Sequence, residues 1–364
     1  MNPEISEHQI VERIRALSEE FEARAEAVDC GGPGNALLEK NVRALASARF
    51  YGARIPAEYG GLELPGPVIA ECQELIASAC GVTAFTQQQM QSGGHYVGQA
   101  DNESVKRDLL PRFASGQLLC GIAFSHLRRP GPPMVRYEPI ADGGLINGEA
   151  PWVTGWRFLD SFALGCIGPD GRVVYVYVSI PDHARTLSVS EPIRVSTMDA
   201  GDTVRVFLRN VVVPQEHVLF EREPDYQSRT DFNNIAGPVQ MPLGCARGCV
   251  RHLRETGKRK NRPLFLDAAD HFEAEIGLQR AFAQAWNGSR CEEPDYKENA
   301  LDARAGAIRL AMRASEACIA ANSGAAHLLT NPAQRRHREA SFYATVAQTP
   351  DVQSAFIEAV TYGK

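Results

Sequence analysis

The hydrophobic period of the sequence changes twice along the chain, and this succession most limits the folds that the chain can adopt. Up to about residue 118, apolar residues recur with the helical period, as at Ile10, Ile14 and Leu17. Between residues 118 and 208, short β-favouring runs are separated by Gly, Pro and Asp, and the run 173–178 is the clearest. From about residue 226 the helical period returns. This order predicts an α+β protein with three packed parts.

The predicted parts are a helical N-terminal domain over residues 1–118, a middle β-domain over 119–224 and a C-terminal helical domain over 225–364. Asp170-Gly171 precedes the strongest strand and is a hairpin-type turn, so an antiparallel sheet is expected. Four Ala- and Leu-rich helical segments after residue 235 predict a four-helix bundle, whose first helix Pro238 and Pro242 kink or delay. The predicted helices fall at 6–28, 37–51, 67–79, 105–113, 235–259, 268–287, 299–329 and 335–346.

Charge and cysteine content exclude several classes of protein. The 364 residues include 38 Lys and Arg against 44 Asp and Glu, and a net charge of −6 argues against nucleic-acid binding. No apolar run is long enough to span a membrane, and the first residues lack the pattern of a signal peptide. Nine scattered cysteines without a Cys-x-x-Cys pair indicate reduced thiols, so a cytoplasmic location is expected.

Familiar signatures of cofactor and metal sites are missing from the chain. Rossmann, P-loop and serine-hydrolase motifs are absent, and no Glu-x-x-His pair supports a di-iron site. Cys245 and Cys249 share one helix face but have no partner at zinc-site spacing, so we expect core thiols and no metal. A basic segment around Lys260 is either a solvated helix end or a phosphate contact.

The segment Trp152-Val153-Thr154 carries the strongest chemical signal. A flat aromatic ring and a hydroxyl alternate on one strand face, which suits a flavin ring that needs stacking and hydrogen bonding. From these residues alone, packing in the core explains the segment equally well.

Four segments, in order along the whole chain, resemble the acyl-CoA dehydrogenase superfamily. They are Ile55-Pro56-Ala57-Glu58-Tyr59-Gly60-Gly61-Leu62, then Asn147-Gly148 with Trp152-Val153-Thr154, then Thr203–Phe207 with Asn210–Pro214, and finally Asn331-Pro332 with Arg335 and Arg338-Glu339-Ala340. The resemblance implies a helical N-domain, a middle β-domain, a C-terminal four-helix bundle and bound FAD, with FMN as the alternative. It also implies a homodimer or homotetramer, a small-molecule or carrier-bound acyl substrate, and an electron-acceptor protein or flavin reductase as partner. The flavin-binding residues that follow from it are Phe124, Ser125, Trp152, Val153, Thr154, Lys260 and Thr349.

The chain departs from the family where chemistry is expected. Ser125–Gly131 replaces the Thr-Glu-Pro…Gly-Ser-Asp segment, and Asn322–Ala325 replaces the Gly-Gly motif. The family's catalytic Glu corresponds to Ala347, and its alternative position on the first bundle helix corresponds to about Asn234. A positioned base is worth about 10²–10⁴ in rate, so ordinary α,β-desaturation is doubtful.

Three residues near these positions are candidates for a catalytic role, namely His126, Tyr343 and Gln348, although each also suits simple packing. The leading hypothesis is a flavin-dependent oxidoreductase with a divergent active site, acting on an acyl-thioester-like or other small organic substrate. A flavin monooxygenase supplied by a separate reductase is the first alternative. A catalytically altered or flavin-free relative is the second.

Overall fold

The computed structural model describes residues 6–363, and the start of the chain used to argue against a signal peptide lies outside this range. The first part of the chain is helical, as predicted, and its helices contribute to two apolar clusters. The second cluster contains the buried residues of the last of these helices together with residues of the middle part. These helices are α1 (Glu7–Ala23), α2 (Ala25–Cys30), α3 (Ala36–Ser47), α4 (Gly66–Ala79), α5 (Gly81–Gly98) and α6 (Glu103–Ala114). Helix α5 was not predicted.

Helix α5 escaped prediction because polar residues and glycines occupy its buried faces as well as the face that lines the cleft, so its sequence has no amphipathic pattern. Glutamines and glycines occupy many of its positions, and most of its residues are nevertheless buried. Gly93 lies against the middle part, where a Cβ atom would come within 2.1 Å of the Cys120 carbonyl oxygen. The glycine therefore permits the helix to touch the sheet directly.

The middle part is one mixed sheet in the order β6-β7-β3-β2-β4-β5-β8, with β1 paired to β4. Its strands are β1 (Cys120–Ala123), β2 (Val135–Ile140), β3 (Gly143–Val153), β4 (Ser161–Ile167), β5 (Val173–Ser179), β6 (Leu187–Val189), β7 (Val204–Pro214) and β8 (Val218–Arg222). Most pairs are antiparallel as predicted, including the β4–β5 hairpin. The pairing of β1 with β4 is parallel, because the β2–β3 hairpin intervenes and returns the chain in the direction of β1.

The Asn147-Gly148 pair shapes β3 just before its functional segment. Asn147 Oδ1 accepts a 2.8 Å hydrogen bond from the backbone N–H of Asn210, and the strand register shifts at this point. Gly148 has φ +139°, and a Cβ atom there would lie 2.0 Å from the Met134 carbonyl oxygen. This bulge sets the direction in which the following residues, up to Thr154, leave the sheet.

The last part is helical again, and long helices form the bundle that the sequence predicts. Its helices are α7 (Tyr226–Asn233), α8 (Gln240–Lys260), α9 (Pro263–Ala285), α10 (Tyr296–Asn322), α11 (Pro332–Tyr343) and α12 (Pro350–Tyr362), of which α7 and α12 were not predicted. Helix α8 begins just after Pro238, in agreement with a delayed start. Cys245 and Cys249 are fully buried in this bundle, as expected of core thiols. The domain boundaries at residues 118 and 224 stay predictions.

Buried arginines of α11 join the bundle to the N-terminal helices. Arg335 contacts Glu26 at 2.9 Å, and Arg336 contacts Glu22 at 2.7 Å. Both arginines are almost completely buried, so each depends on its carboxylate for charge compensation. These pairs fix the position of α11 relative to α1 and α2.

Candidate functional site

A cleft of about 1090 Å³ lies where the three parts of the chain meet. Helix α5 forms one wall, and the sheet and its connecting loops form another. Helix α7, the turn that precedes α8, and the end of α11 with the residues after it close the rest. Its walls include Arg54, Phe85, Gln88, Gln89, Ser92, His95, Tyr96, Gln99, Phe124, Ser125, Arg128, Trp152, Thr154, Thr197, Thr203, Tyr226, Asn234, Phe342, Val346 and Ala347. Polar amides and hydroxyls alternate with aromatic rings throughout.

Helix α5 extends along the whole cleft and gives it two ends. Thr86 lies beside Thr154, since a Cβ atom on Gly201 would be within 4 Å of both. His95 lies nine positions later on the same helix. At 1.5 Å per residue, these two positions are separated by about 13 Å along the helix. We call the end of the cleft at Thr86 and Thr154 the threonine end, and the end at His95 and Arg54 the arginine end.

At the threonine end, three hydroxyl groups lie close to an exposed indole ring. The hydroxyls of Thr154 and Thr203 are 2.9 Å apart, and one must donate to the other. One hydrogen of that pair consequently remains available to a bound molecule. The buried Thr197 hydroxyl has no hydrogen-bond partner within residues 6–363. Trp152 is 46% exposed, which is unusual for so large an aromatic side chain and gives the cleft a flat apolar surface.

A second arginine of the cleft lining is held in place by an aromatic ring and a carboxylate. The Arg128 guanidinium lies 5.0 Å from the centre of the Phe124 ring and makes two 2.7 Å hydrogen bonds to the Asp231 carboxylate. The Tyr96 ring stacks on that of Tyr175 with centroids 4.6 Å apart. The charge of Arg128 is thus compensated by a bidentate partner.

The arginine end carries a different set of groups. Arg54 lines the cleft, is exposed there, and makes no hydrogen bond or ion pair with any residue that the structure describes. Desolvation by the surrounding walls lowers its pKa. Desolvation, followed by the charge of Arg54, lowers the pKa of His95 to about 4, so this imidazole is neutral at pH 7. Gln99 joins His95 to Tyr226 through hydrogen bonds of 2.7 and 3.0 Å.

Among the described residues that line the cleft, none is Asp or Glu. Both positions where the resemblance places a catalytic Glu, Ala347 and Asn234, do line it. Ala347 adopts a left-handed backbone conformation with φ +48°. The cleft therefore contains the location of the family's base but offers no carboxylate there.

The three candidates for a catalytic role lie outside the cleft wall. His126 is buried, its Nε2 atom is 2.8 Å from the Gly165 carbonyl oxygen, and burial lowers its pKa to about 4. Tyr343 is fully buried, and desolvation raises its pKa well above the usual value. The Gln348 amide donates to the Ala344 carbonyl oxygen one turn earlier. None of them presents a polar atom to the space that a substrate would occupy.

The residues predicted to bind flavin separate into two groups. Four of them line the cleft together: Phe124, Ser125, Trp152 and Thr154. The other three do not. Val153 is buried in the sheet, Lys260 donates a 2.7 Å hydrogen bond to the Ala321 carbonyl oxygen, and Thr349 caps α12 by accepting from Val352.

Sequence reasoning missed the whole α5 wall, including Gln88, Gln89, Ser92 and His95, because it missed the helix. Arg54 precedes the segment that resembles Pro-x-x-Tyr-Gly-Gly, but nothing local distinguishes it from a surface arginine. The glutamine-rich run 87–91 was the available signal, since consecutive amides inside an otherwise apolar region require polar partners.

Residues 6–363 contain neither a metal-binding cluster nor a membrane-spanning helix. No group of three or more His, Cys, Asp or Glu side chains is arranged to hold a metal ion. None of the helices in this range combines the length and apolar character needed to cross a membrane.

Comparison with known proteins supports the resemblance to the acyl-CoA dehydrogenase superfamily. Residues 6–117 match the family described as acyl-CoA dehydrogenase, N-terminal domain. Glutaryl-CoA dehydrogenase of Desulfococcus multivorans is 23% identical over 60% of this chain and 59% of its own length. The oxygenase component of p-hydroxyphenylacetate 3-hydroxylase of Acinetobacter baumannii is 22% identical over 49% of this chain and 40% of its own length. The chain thus matches between two-fifths and three-fifths of these relatives.

Solved structures with the same fold include a dehydrogenase and a monooxygenase. Butyryl-CoA dehydrogenase of Megasphaera elsdenii superimposes with a TM-score of 0.82 at 16% identity, covering 97% of each chain. Dibenzothiophene monooxygenase of Paenibacillus sp. A11-2 superimposes with a TM-score of 0.80 at 17% identity, covering 98% of each chain, and has also been solved with FMN bound. The chain has the acyl-CoA dehydrogenase fold, and the predicted resemblance is confirmed.

Proposed function

We propose that this protein is a flavin-dependent oxidoreductase with a divergent active site that acts on a small organic substrate in the cleft. The observation that carries the proposal is that Phe124, Ser125, Trp152 and Thr154, predicted from the sequence to contact flavin, line one cleft. The flavin-dependent enzymes among the relatives support the same chemistry. An acyl thioester or another small molecule would be the substrate, and a homo-oligomer the working form.

The residues at the threonine end suit a flavin ring. Trp152 offers a flat surface for stacking, and the Thr154–Thr203 pair offers one hydroxyl hydrogen to a ring acceptor. The unpaired hydroxyl of Thr197 would gain a partner there. Burying such a group without a hydrogen bond costs about 1–3 kcal/mol, so a polar molecule bound beside it would recover part of this cost.

The protein's own residues would bind and orient rather than transfer a proton through a carboxylate. A bound flavin supplies the redox chemistry. Trp152 and Thr154 would hold the ring, and Arg128, which is fixed by Asp231, would stiffen the adjacent wall. His95 is neutral at pH 7 and can only donate or accept a hydrogen bond unless the pH is low.

Titration of the purified protein with FAD and with FMN tests the proposal. We expect quenching of flavin fluorescence and a perturbed visible spectrum with at least one of the two. Trp152→Leu, which keeps an apolar side chain but removes the indole, should weaken binding. Phe232→Leu, which also replaces an exposed aromatic residue but lies outside the cleft wall, should not. No affinity for either flavin would overturn the proposal and favour a flavin-free relative.

A monooxygenase supplied with reduced flavin by a partner reductase is the second candidate. The absence of Asp and Glu from the described lining favours it, because removal of a substrate α-proton normally uses a carboxylate at this place in the family. Two of the similar proteins are a hydroxylase and a monooxygenase. Oxygen uptake coupled to a hydroxylated product, with chemically reduced flavin supplied, would support this candidate. Turnover with an artificial electron acceptor in the absence of oxygen would instead indicate a dehydrogenase.

A further inference from the structure

The cleft contains one positive charge without a compensating partner. Its described lining includes two arginines and no carboxylate, and the charge of Arg128 is neutralised by the bidentate Asp231. Arg54 makes no hydrogen bond or ion pair with residues 6–363. A guanidinium presents five N–H donors in a planar fork that matches a carboxylate, so an unpartnered one facing a cleft is complementary to an anion.

A chain of hydrogen bonds orients His95 as a second donor beside Arg54. The Tyr226 hydroxyl donates to Gln99 Oε1, so the Gln99 amide nitrogen must donate to His95 Nε2. A neutral imidazole that accepts at Nε2 carries its proton on Nδ1. His95 is exposed in the cleft and so adds an N–H donor to the end where Arg54 lies. Two donors and no acceptor carboxylate define a site for an anionic group.

We propose that the arginine end of the cleft, formed by Arg54 and His95, binds a carboxylate group of the substrate. The proposal rests on the proposed function in that it places the substrate in the same cleft as the flavin. It narrows the substrate to a molecule that carries an anionic group at the end remote from the reacting atoms.

The flavin phosphate is the other possible source of an anion, and comparison of FMN with riboflavin distinguishes it from a substrate carboxylate. The groups suited to the flavin ring lie at the threonine end, about 13 Å along α5 from His95. The space between the two ends is lined by Gln88, Gln89 and Ser92, which are neutral. A substrate extending from the flavin ring toward His95 would place its far end beside Arg54.

Binding of small carboxylates by the full-length protein, without added flavin, tests the site. Benzoate with benzamide, and hexanoate with hexanamide, are matched pairs that differ in charge but hardly in shape, and calorimetry measures their affinities. We expect each carboxylate to bind more tightly than its amide. Arg54→Gln should weaken carboxylate binding by about tenfold, the factor expected for loss of one charge-assisted hydrogen-bonded pair, and leave the amides unchanged. Arg54→Lys should restore part of the loss.

Two controls separate this site from the alternatives. Arg107→Gln removes the same charge from the exposed surface of α6, outside the cleft lining, and should leave all four affinities unchanged.

Affinities for FMN and for riboflavin, which lacks the phosphate, should both be insensitive to Arg54→Gln. If Arg54→Gln weakens the binding of FMN but not that of riboflavin, Arg54 holds the flavin phosphate and the proposal is wrong. Equal affinity of the wild type for carboxylates and amides also overturns it. Carboxylate binding that depends on Arg54 in a protein without flavin affinity would leave this site standing and overturn only the proposed function.

Discussion

The backbone N–H of Gly81 donates a 2.9 Å hydrogen bond to the buried carboxylate of Glu339. Gly81 is the first residue of α5, and Glu339 lies on α11, so the bond joins two walls of the cleft. Arg335 also contacts this carboxylate at 2.7 Å. Burial raises the pKa of Glu339, while Arg335 acts to lower it. A negative charge at the first residue of a helix is favourable because the helix dipole is positive there.

Removing the carboxylate should destabilise the protein markedly. Glu339→Ala leaves the Gly81 N–H without its partner and leaves Arg335 with Glu26 alone. Breaking a buried ion pair costs about 3–5 kcal/mol, and we expect the lower end of that range because Glu26 remains. Urea denaturation measures the change. Glu316→Ala, an exposed change on α10, is the control and should alter stability by less than about 0.5 kcal/mol. A comparably small effect for Glu339→Ala would show that the bond does not hold the two helices together.

The close approach of α5 to β1 predicts a strong effect of one methyl group. Gly93→Ala would place a Cβ atom 2.1 Å from the Cys120 carbonyl oxygen, and both partners are backbone elements that cannot move independently. We expect a loss of about 1–3 kcal/mol from overpacking. Gly277→Ala in α9 meets no atom within 4 Å and should instead stabilise the protein by up to about 1 kcal/mol, because alanine favours the helix. Thermal unfolding of the two variants should therefore shift in opposite directions.

His126 should make the stability depend on pH in the weakly acidic range. Burial lowers its pKa from 6.5 to about 4 in the folded protein. Because the unfolded chain takes up this proton at higher pH than the folded protein, stability is complete above about pH 6.5 and falls as the pH decreases toward 4. The contribution at stake is on the order of 3 kcal/mol.

His126→Gln should flatten the corresponding part of the curve of unfolding free energy against pH, since glutamine does not titrate. His8→Gln, at an exposed position on α1, serves as the control. Identical pH profiles for the wild type and His126→Gln between pH 4 and 6.5 would contradict the assignment of a neutral buried imidazole.

The fold could be predicted from the sequence wherever one face of an element is buried and the other is solvated. Helices such as α1 and α3 carry that pattern, and the hairpin before Val173 carries its turn residues. Helix α5 could not be predicted, because most of its residues are buried and a buried glutamine in it bonds to residues distant in the sequence. Gln91, for example, donates to the Phe50 carbonyl oxygen and accepts from Gln73. Such partners are set by tertiary structure and leave no local period.

The part of the candidate site that could be predicted lies at the ends of β1 and β3 and at the two positions where the resemblance places a catalytic Glu. Trp152 and Thr154 stand in a recognisable segment. Arg54 and His95 are 41 positions apart and meet only because a short 3₁₀ turn after α3 brings residue 54 against α5. Arg54 became notable when the structure showed that no described residue compensates its charge. The sequence also predicted that Lys260 contacts the cofactor, but its ammonium group bonds to the end of α10.

The Thr154 hydroxyl gives the most direct test of the threonine end. Thr154→Val keeps the shape of the side chain but removes the hydroxyl that pairs with Thr203, and with it a donor or acceptor for the flavin ring. A net hydrogen bond is worth about 0.5–1.5 kcal/mol, so flavin affinity measured by fluorescence quenching should fall roughly 2- to 10-fold. Thr154→Ser, which retains a hydroxyl, should bind nearly as well as the wild type. Cys245→Ala, in the bundle core, should lower stability while leaving flavin affinity intact, because its buried thiol lies outside the cleft wall. Unchanged flavin affinity in Thr154→Val would remove the threonine pair from the flavin site.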